Sequence, residues 1–132
     1  MKAKMIWGNL SSGNLKATTE FYTKLGFQYN GQHSSDEIAS FLFGENNFII
    51  NFFTKERLKD ERNGGVGNWG AQSEIIFSLS AEDKEEVKQW REKVLEAGGT
   101  VFSEPQDYEQ GYTFCFADPD GHKFNVLYWP GM

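Results

Sequence analysis

Side chains able to do metal or nucleophilic chemistry are few in this chain. Two histidines, His33 and His122, and one cysteine, Cys115, are all it holds, so any transition-metal site has to lean on carboxylates. Cys115 sits between Phe114 and Phe116 with no histidine near it in sequence, which is the setting of a buried, inert thiol. His122 follows the turn Asp118-Pro119-Asp120-Gly121 and by strand parity points with Phe124, which suits a structural imidazole. His33 lies in a polar stretch with Ser34, Ser35 and Asp36, where surface placement accounts for it. Glu74 is the carboxylate of an otherwise apolar strand and the only candidate for general acid–base work.

These residues have to be positioned by a small set of elements. Lys4 to Leu10 reads as a strand and Leu15 to Leu25 as a helix, with Asn14 as N-cap, Leu15, Phe21, Tyr22 and Leu25 near one face, and Gly26 as the stop. Strands are expected at Phe27 to Asn30, Ile38 to Phe43 and Phe48 to Phe53, the last two joined by the hairpin turn Gly44-Glu45-Asn46-Asn47. From Lys55 the sequence turns to mixed charge and then to Asn63-Gly64-Gly65-Val66-Gly67-Asn68, a connector with no apolar period. No strand leads into these glycines and no helix pattern follows, so they do not read as a phosphate cradle.

The second half repeats the order. A strand from Ser73 to Leu79 leads to a helix whose start is marked by Ser80 and Asp83, with Val87, Trp90, Val94 and Leu95 as its apolar stripe. After Gly98-Gly99 come strands at Thr100 to Ser103, Tyr112 to Ala117 and Lys123 to Trp129. One element order found twice is an internal repeat. The expected fold is therefore α+β: two tandem βαβββ modules forming a curled mixed sheet, helices on the outer face, an inner trough left for a ligand. The expected division is one domain over 1–132, with modules at 1–54 and 73–132 and a linker at 55–72.

Composition sets the outer limits. The chain has 132 residues, 13 Lys plus Arg against 19 Asp plus Glu, and a formal charge of −6, a poor balance for a nucleic-acid or membrane-surface binder. With 39% hydrophobic and 16% aromatic residues there is material for a buried core. A lone cysteine forms no intramolecular disulfide, Met1 to Leu10 lacks the apolar run of a signal peptide, and no segment is long enough to cross a bilayer. A cytoplasmic setting is the expectation.

Strand alternation assigns the trough. Ile50 and Phe52 go under the helix and leave Ile49, Asn51 and Phe53 inward; Ile75, Phe77 and Leu79 hide and leave Glu74, Ile76 and Ser78 inward. Phe124, Val126 and Tyr128 hide and leave Lys123, Asn125, Leu127 and Trp129, while Met5, Trp7 and Asn9 face inward with Ile6 and Leu10 hidden. That lining suits a flat or partly apolar small molecule, with Trp7, Phe53 and Trp129 as walls and Asn9, Asn51, Glu74 and Asn125 as polar contacts. The bland alternative is a closed core in which Asn51 and Asn125 bond each other.

Two segments carry a family likeness: Thr19-Glu20-Phe21-Tyr22-Thr23-Lys24-Leu25-Gly26-Phe27, and Phe116-Ala117-Asp118-Pro119-Asp120-Gly121-His122-Lys123-Phe124-Asn125-Val126-Leu127. With Met5-Ile6-Trp7-Gly8-Asn9-Leu10 and Gly98-Gly99 followed by Glu104-Pro105-Gln106-Asp107, the chain resembles the vicinal oxygen chelate superfamily over nearly its whole length. That superfamily contains glyoxalase I, bleomycin-resistance proteins, fosfomycin-resistance enzymes and extradiol dioxygenases. The likeness is greatest to a bacterial branch of predicted lactoylglutathione lyases.

The resemblance implies a divalent metal held at four positions, which here match Trp7, Asn51, Glu74 and Asn125. Only Glu74 is a good ligand, so no metal and no other cofactor is expected. Proton abstraction beside a carbonyl and extradiol oxygenation both need ligands absent from these positions. The reading is a small-molecule binder without the usual metal centre, its enzymatic activity left open. The alternative is a divalent-metal lyase of the lactoylglutathione type, with Glu74, amide oxygens and water completing a weak site; a dioxygenase fits less well. By resemblance a homodimer is expected.

Overall fold

A computed structural model describes residues 1–62 and 75–131. The chain divides into two compact units, Met1–Asn68 and Trp69–Met132. In the first, strand β1 (Trp7–Ser12), helix α1 (Leu15–Lys24), β2 (Gln28–Tyr29), β3 (Ile38–Phe43), β4 (Phe48–Thr54) and helix α2 (Lys55–Arg62) follow in order, with a short 3-10 turn at Gly31–His33. The second holds β5 (Ile76–Ala81), α3 (Lys84–Glu96), β6 (Thr100–Tyr108), β7 (Gly111–Ala117) and β8 (Lys123–Tyr128). Each unit has one four-stranded sheet, ordered β1-β4-β3-β2 and β5-β8-β7-β6, in which only the β1–β4 and β5–β8 pairs are parallel. The repeat expected from the sequence is thus present as two βαβββ modules.

Local chemistry explains the elements. Asn14 caps α1, its Oδ1 accepting from the Ala17 amide at 3.0 Å, and Gly26 ends the helix at φ +94°, a conformation that costs a side-chain-bearing residue about 1 kcal/mol. Ser12 and Thr18 share a buried 2.7 Å hydrogen bond that ties the end of β1 to α1. Against the sheet α1 buries Phe21 and Tyr22, and Tyr22 stacks on Phe52 at 4.6 Å between ring centres. In the second unit Val87 and Val94 of α3 are fully buried, as are Phe114, Phe116, Phe124 and Val126, and Phe116 stacks on Phe124 at 5.2 Å. Phe52, Phe124 and Val126 have the parity expected of the helix side.

Several expectations need correction. Helix α3 is capped by Asp83, whose Oδ1 accepts from the Glu86 amide at 2.7 Å, while Ser80 belongs to β5. The acidic side chain three residues before Glu86 is the better cap because it also meets the positive end of the helix dipole. Leu95 is 44% exposed, since the buried stripe runs through Val87 and Val94 and a residue one step beyond Val94 turns off it. Strands β1 and β5 begin at Trp7 and Ile76, so Ile6 and Ile75 precede the ladders and are 78% and 53% exposed instead of hidden.

The mixed-charge stretch taken as linker opens with α2. Its first turn is set by Thr54, whose Oγ1 accepts from the Arg57 amide at 3.3 Å, and it buries Leu58 against β1 and β4. One buried leucine anchors a segment whose composition shows no apolar period. Strand β6 runs on to Tyr108 through Pro105, with register shifts between Val101 and Ser103 and between Ser103 and Gln106. Proline is tolerated there because β6 is an edge strand and the bulges interrupt its ladder.

Candidate functional site

On the face of each sheet turned away from its helix a row of small polar residues crosses the strands. In the first unit Asn9, Asn51 and Ser40 are aligned across β1, β4 and β3, and Asn30 extends the row by donating from Nδ2 to Ser40 Oγ at 3.2 Å. In the second unit Ser78, Asn125, Cys115 and Ser103 align across β5, β8, β7 and β6. Asn51 and Asn125 occupy equivalent strands and registers of the repeat. Asn51 donates from Nδ2 to Asn9 Oδ1 at 3.1 Å, and Asn125 donates from Nδ2 to Thr113 Oγ1 over a long 3.4 Å. The Oδ1 atoms of both asparagines are buried without a hydrogen-bond partner among the described residues.

Beside Asn51 the first unit has a cavity of about 370 Å³ lined by Met5, Trp7, His33, Ile38, Ile49 and Asn51. The wall is mainly apolar, with the indole of Trp7 half-exposed in it. His33 reaches this wall through the 3-10 turn. The Asn30 amide donates to the Ser40 carbonyl at 2.8 Å, and Ser34 Oγ accepts from the Ser40 amide at 3.1 Å, so the turn is pinned to β3 on both sides of His33. Nothing local in the sequence signalled this. The clue is the pair of polar residues, Asn30 and Ser34, that flank the turn and reach back to Ser40.

The other candidate residues fall as follows. Asn9 is exposed on β1 and serves Asn51. Phe53 is buried, with the Arg57 guanidinium 6.0 Å from its ring centre, and does not line the cavity. Glu74 lies outside the described residues. Trp129 follows β8 and packs against Gly111, where an added Cβ would stand 2.9 Å from the indole Cε3 and closer still to the Tyr128 carbonyl oxygen. It also lines a second, more polar cavity with Ser80, Glu82, Glu86 and Tyr128.

Cys115 lies between the fully buried Phe114 and Phe116, and burial raises its thiol above the ordinary cysteine range, so at neutral pH it stays protonated and weakly nucleophilic. Asp118, Asp120 and His122 bring two carboxylates and an imidazole within 4.8 Å of one another. Asp118 is buried, and its Oδ1 accepts from the amides of Asp120 and His122, both at 2.9 Å. Those bonds organise the tight turn from β7 to β8, and the His122 imidazole is buried with it.

A family model described as the Glyoxalase/Bleomycin resistance protein/Dioxygenase superfamily matches residues 6–126. The chain belongs to this superfamily. Among solved structures it is similar to a hypothetical protein, SA1046, from S. aureus, at 28% identity and TM-score 0.85, covering 97% of this chain and 95% of that one. A glyoxalase-related enzyme from Fulvimarina pelagi matches at 20% identity and TM-score 0.84 over 97% and 90% of the two chains. The fosfomycin resistance protein FosX from Mesorhizobium loti matches at 15% identity and TM-score 0.70 over 97% and 93%. With the last two the likeness is one of fold. Comparison with curated proteins finds no match. Among the described residues no helix is long and apolar enough to cross a membrane.

The donor set can be tested against the metal that the superfamily implies. Trp7 has no ligating atom. Asn51 spends Nδ2 on Asn9, and the amide oxygens of Asn51 and Asn125 are enclosed by protein. Neutral, enclosed amide oxygens do not by themselves make a site for a transition-metal ion, which takes thiolate, imidazole or carboxylate donors. The described residues at these positions do not fit the metal.

Proposed function

We propose that this superfamily member binds a small, flat, partly aromatic molecule in the cavity beside Trp7, without a divalent metal. The observation that carries the reading is the cavity itself: about 370 Å³, walled by Met5, Trp7, Ile38 and Ile49, with polar groups only at His33 and Asn51. Apolar walls with a few placed polar groups are the ordinary form of a small-molecule site. An indole face and a thioether favour an aromatic guest. Two copies of the chain pair in solution.

The competing reading is a metal-dependent lyase of the lactoylglutathione type resting on Glu74. Thermal unfolding with a panel of two-ring aromatics, run with and without Zn, Ni and Mn salts, separates the two, because a ligand of the native state raises the melting temperature by mass action. The binder raises it with the aromatics alone. A rise that requires the metal, or no rise with any aromatic while a metal alone stabilises, contradicts the proposal.

A further inference from the structure

Resting on that reading of the cavity, we infer that His33 selects the ligand, and that the cavity takes an aromatic body bearing an oxygen acceptor, a carboxylate or a carbonyl. Six side chains line the cavity, and four of them, Met5, Trp7, Ile38 and Ile49, offer no strong acceptor or donor beyond the indole N–H. Asn51, the fifth, is largely spent. One N–H of its Nδ2 donates to Asn9 and its Oδ1 is enclosed by protein, which leaves it one N–H and no acceptor for a guest.

His33 is different on each count. The residue is exposed, and among the described residues its one hydrogen bond is the backbone one from its amide to the Asn30 carbonyl, its imidazole having no partner. An imidazole carries at least one N–H donor whether neutral or protonated, so an oxygen acceptor meets it in both states, whereas a donor group meets only the neutral ring. The turn that carries it is held to β3 by the Asn30–Ser40 backbone bond and the Ser40–Ser34 bond, which fixes its backbone beside the cavity and leaves the imidazole unconsumed. The sequence alone gives His33 no such role, because its turn is fastened to Ser40, inside the next strand.

The probes are 2-naphthoate and 2-acetonaphthone, set against 2-isopropylnaphthalene, which has their shape and no oxygen. Binding is followed by ligand-observed NMR on the full chain, with the His33 and His122 imidazole resonances monitored in parallel. The expected result is that one or both oxygen-bearing probes bind about fivefold or more tighter than the hydrocarbon, as a partly exposed charge-assisted hydrogen bond provides. In His33→Phe, a change at an exposed side chain, that preference disappears while the hydrocarbon still binds. In the wild type the His33 resonances shift and those of buried His122 do not. Equal binding of all three probes, or a preference unchanged in His33→Phe, or a silent His33, overturns the inference and leaves the cavity reading standing. If none of the three binds, the cavity reading itself fails and the inference falls with it.

Discussion

Asn51 and Asn9 face each other across the parallel β1–β4 pair, and Nδ2 of the first donates to Oδ1 of the second at 3.1 Å. Asn51, expected from the sequence at a metal-ligand position, is half of an amide pair. The pair is worth about 0.5–1 kcal/mol at such a partly exposed site. Asn9→Ala, Asn51→Ala and the double variant, compared by urea unfolding, are expected to show a coupling energy of that size. Strict additivity would mean that the two amides do not hold each other.

Asp83 and Ser80 compete in the sequence as the start of α3, and the side chain that accepts from the Glu86 amide is that of Asp83. Replacing Asp83 by alanine is expected to cost about 1 kcal/mol of stability, while Ser80→Ala, an exposed change in β5, stays within about 0.5 kcal/mol. Denaturant midpoints measured at constant slope decide between them. The reverse order contradicts the assigned cap.

Gly111 is buried at the head of β7, and a Cβ there would press on the Tyr128 carbonyl oxygen as well as on the Trp129 ring. Backbone cannot swing aside as a side-chain tip can, so Gly111→Ala is expected to lose about 2 kcal/mol or more and to displace Trp129. A drop in melting temperature together with a changed Trp emission spectrum is the expected signature. An unchanged melting temperature refutes the close approach.

Cys115 has its thiol pushed up by burial. Below that raised range the thiol is protonated, and the thiolate fraction grows only as the pH climbs above that of an ordinary cysteine. Alkylation by iodoacetamide is accordingly expected to run slower than that of a free cysteine peptide at pH 7.5 and to gain rate into the alkaline range. Rapid labelling at neutral pH would instead mark an activated nucleophile.

Much of this architecture could be read from residue order. Asn14 and Gly26 bound α1 by chemistry confined to a few neighbours, and the alternation of Ile50 and Phe52 against Asn51 names the open face of β4 directly. What escaped depends on neighbours distant in sequence. Ile6 and Ile75 look like strand residues to be hidden, yet the ladders start one residue later because pairing begins at Trp7 with Ile49 and at Ile76 with Lys123. Helix α2 rests on one buried leucine, too few for a periodic signal. His33 enters the cavity only through a turn fastened to Ser40, so no local pattern announces it, whereas Trp7 and Asn51 could be assigned to one face by parity alone.

The claim beneath the proposed function is that Trp7, Asn51 and Asn125 no longer form a coordination sphere. Elemental analysis of purified protein after equilibrium dialysis against Zn, Ni and Mn salts tests it most directly, with Glu74→Gln treated in parallel. The account predicts no stoichiometric divalent ion retained in either protein. One ion held per chain in the wild type and lost in Glu74→Gln would contradict it.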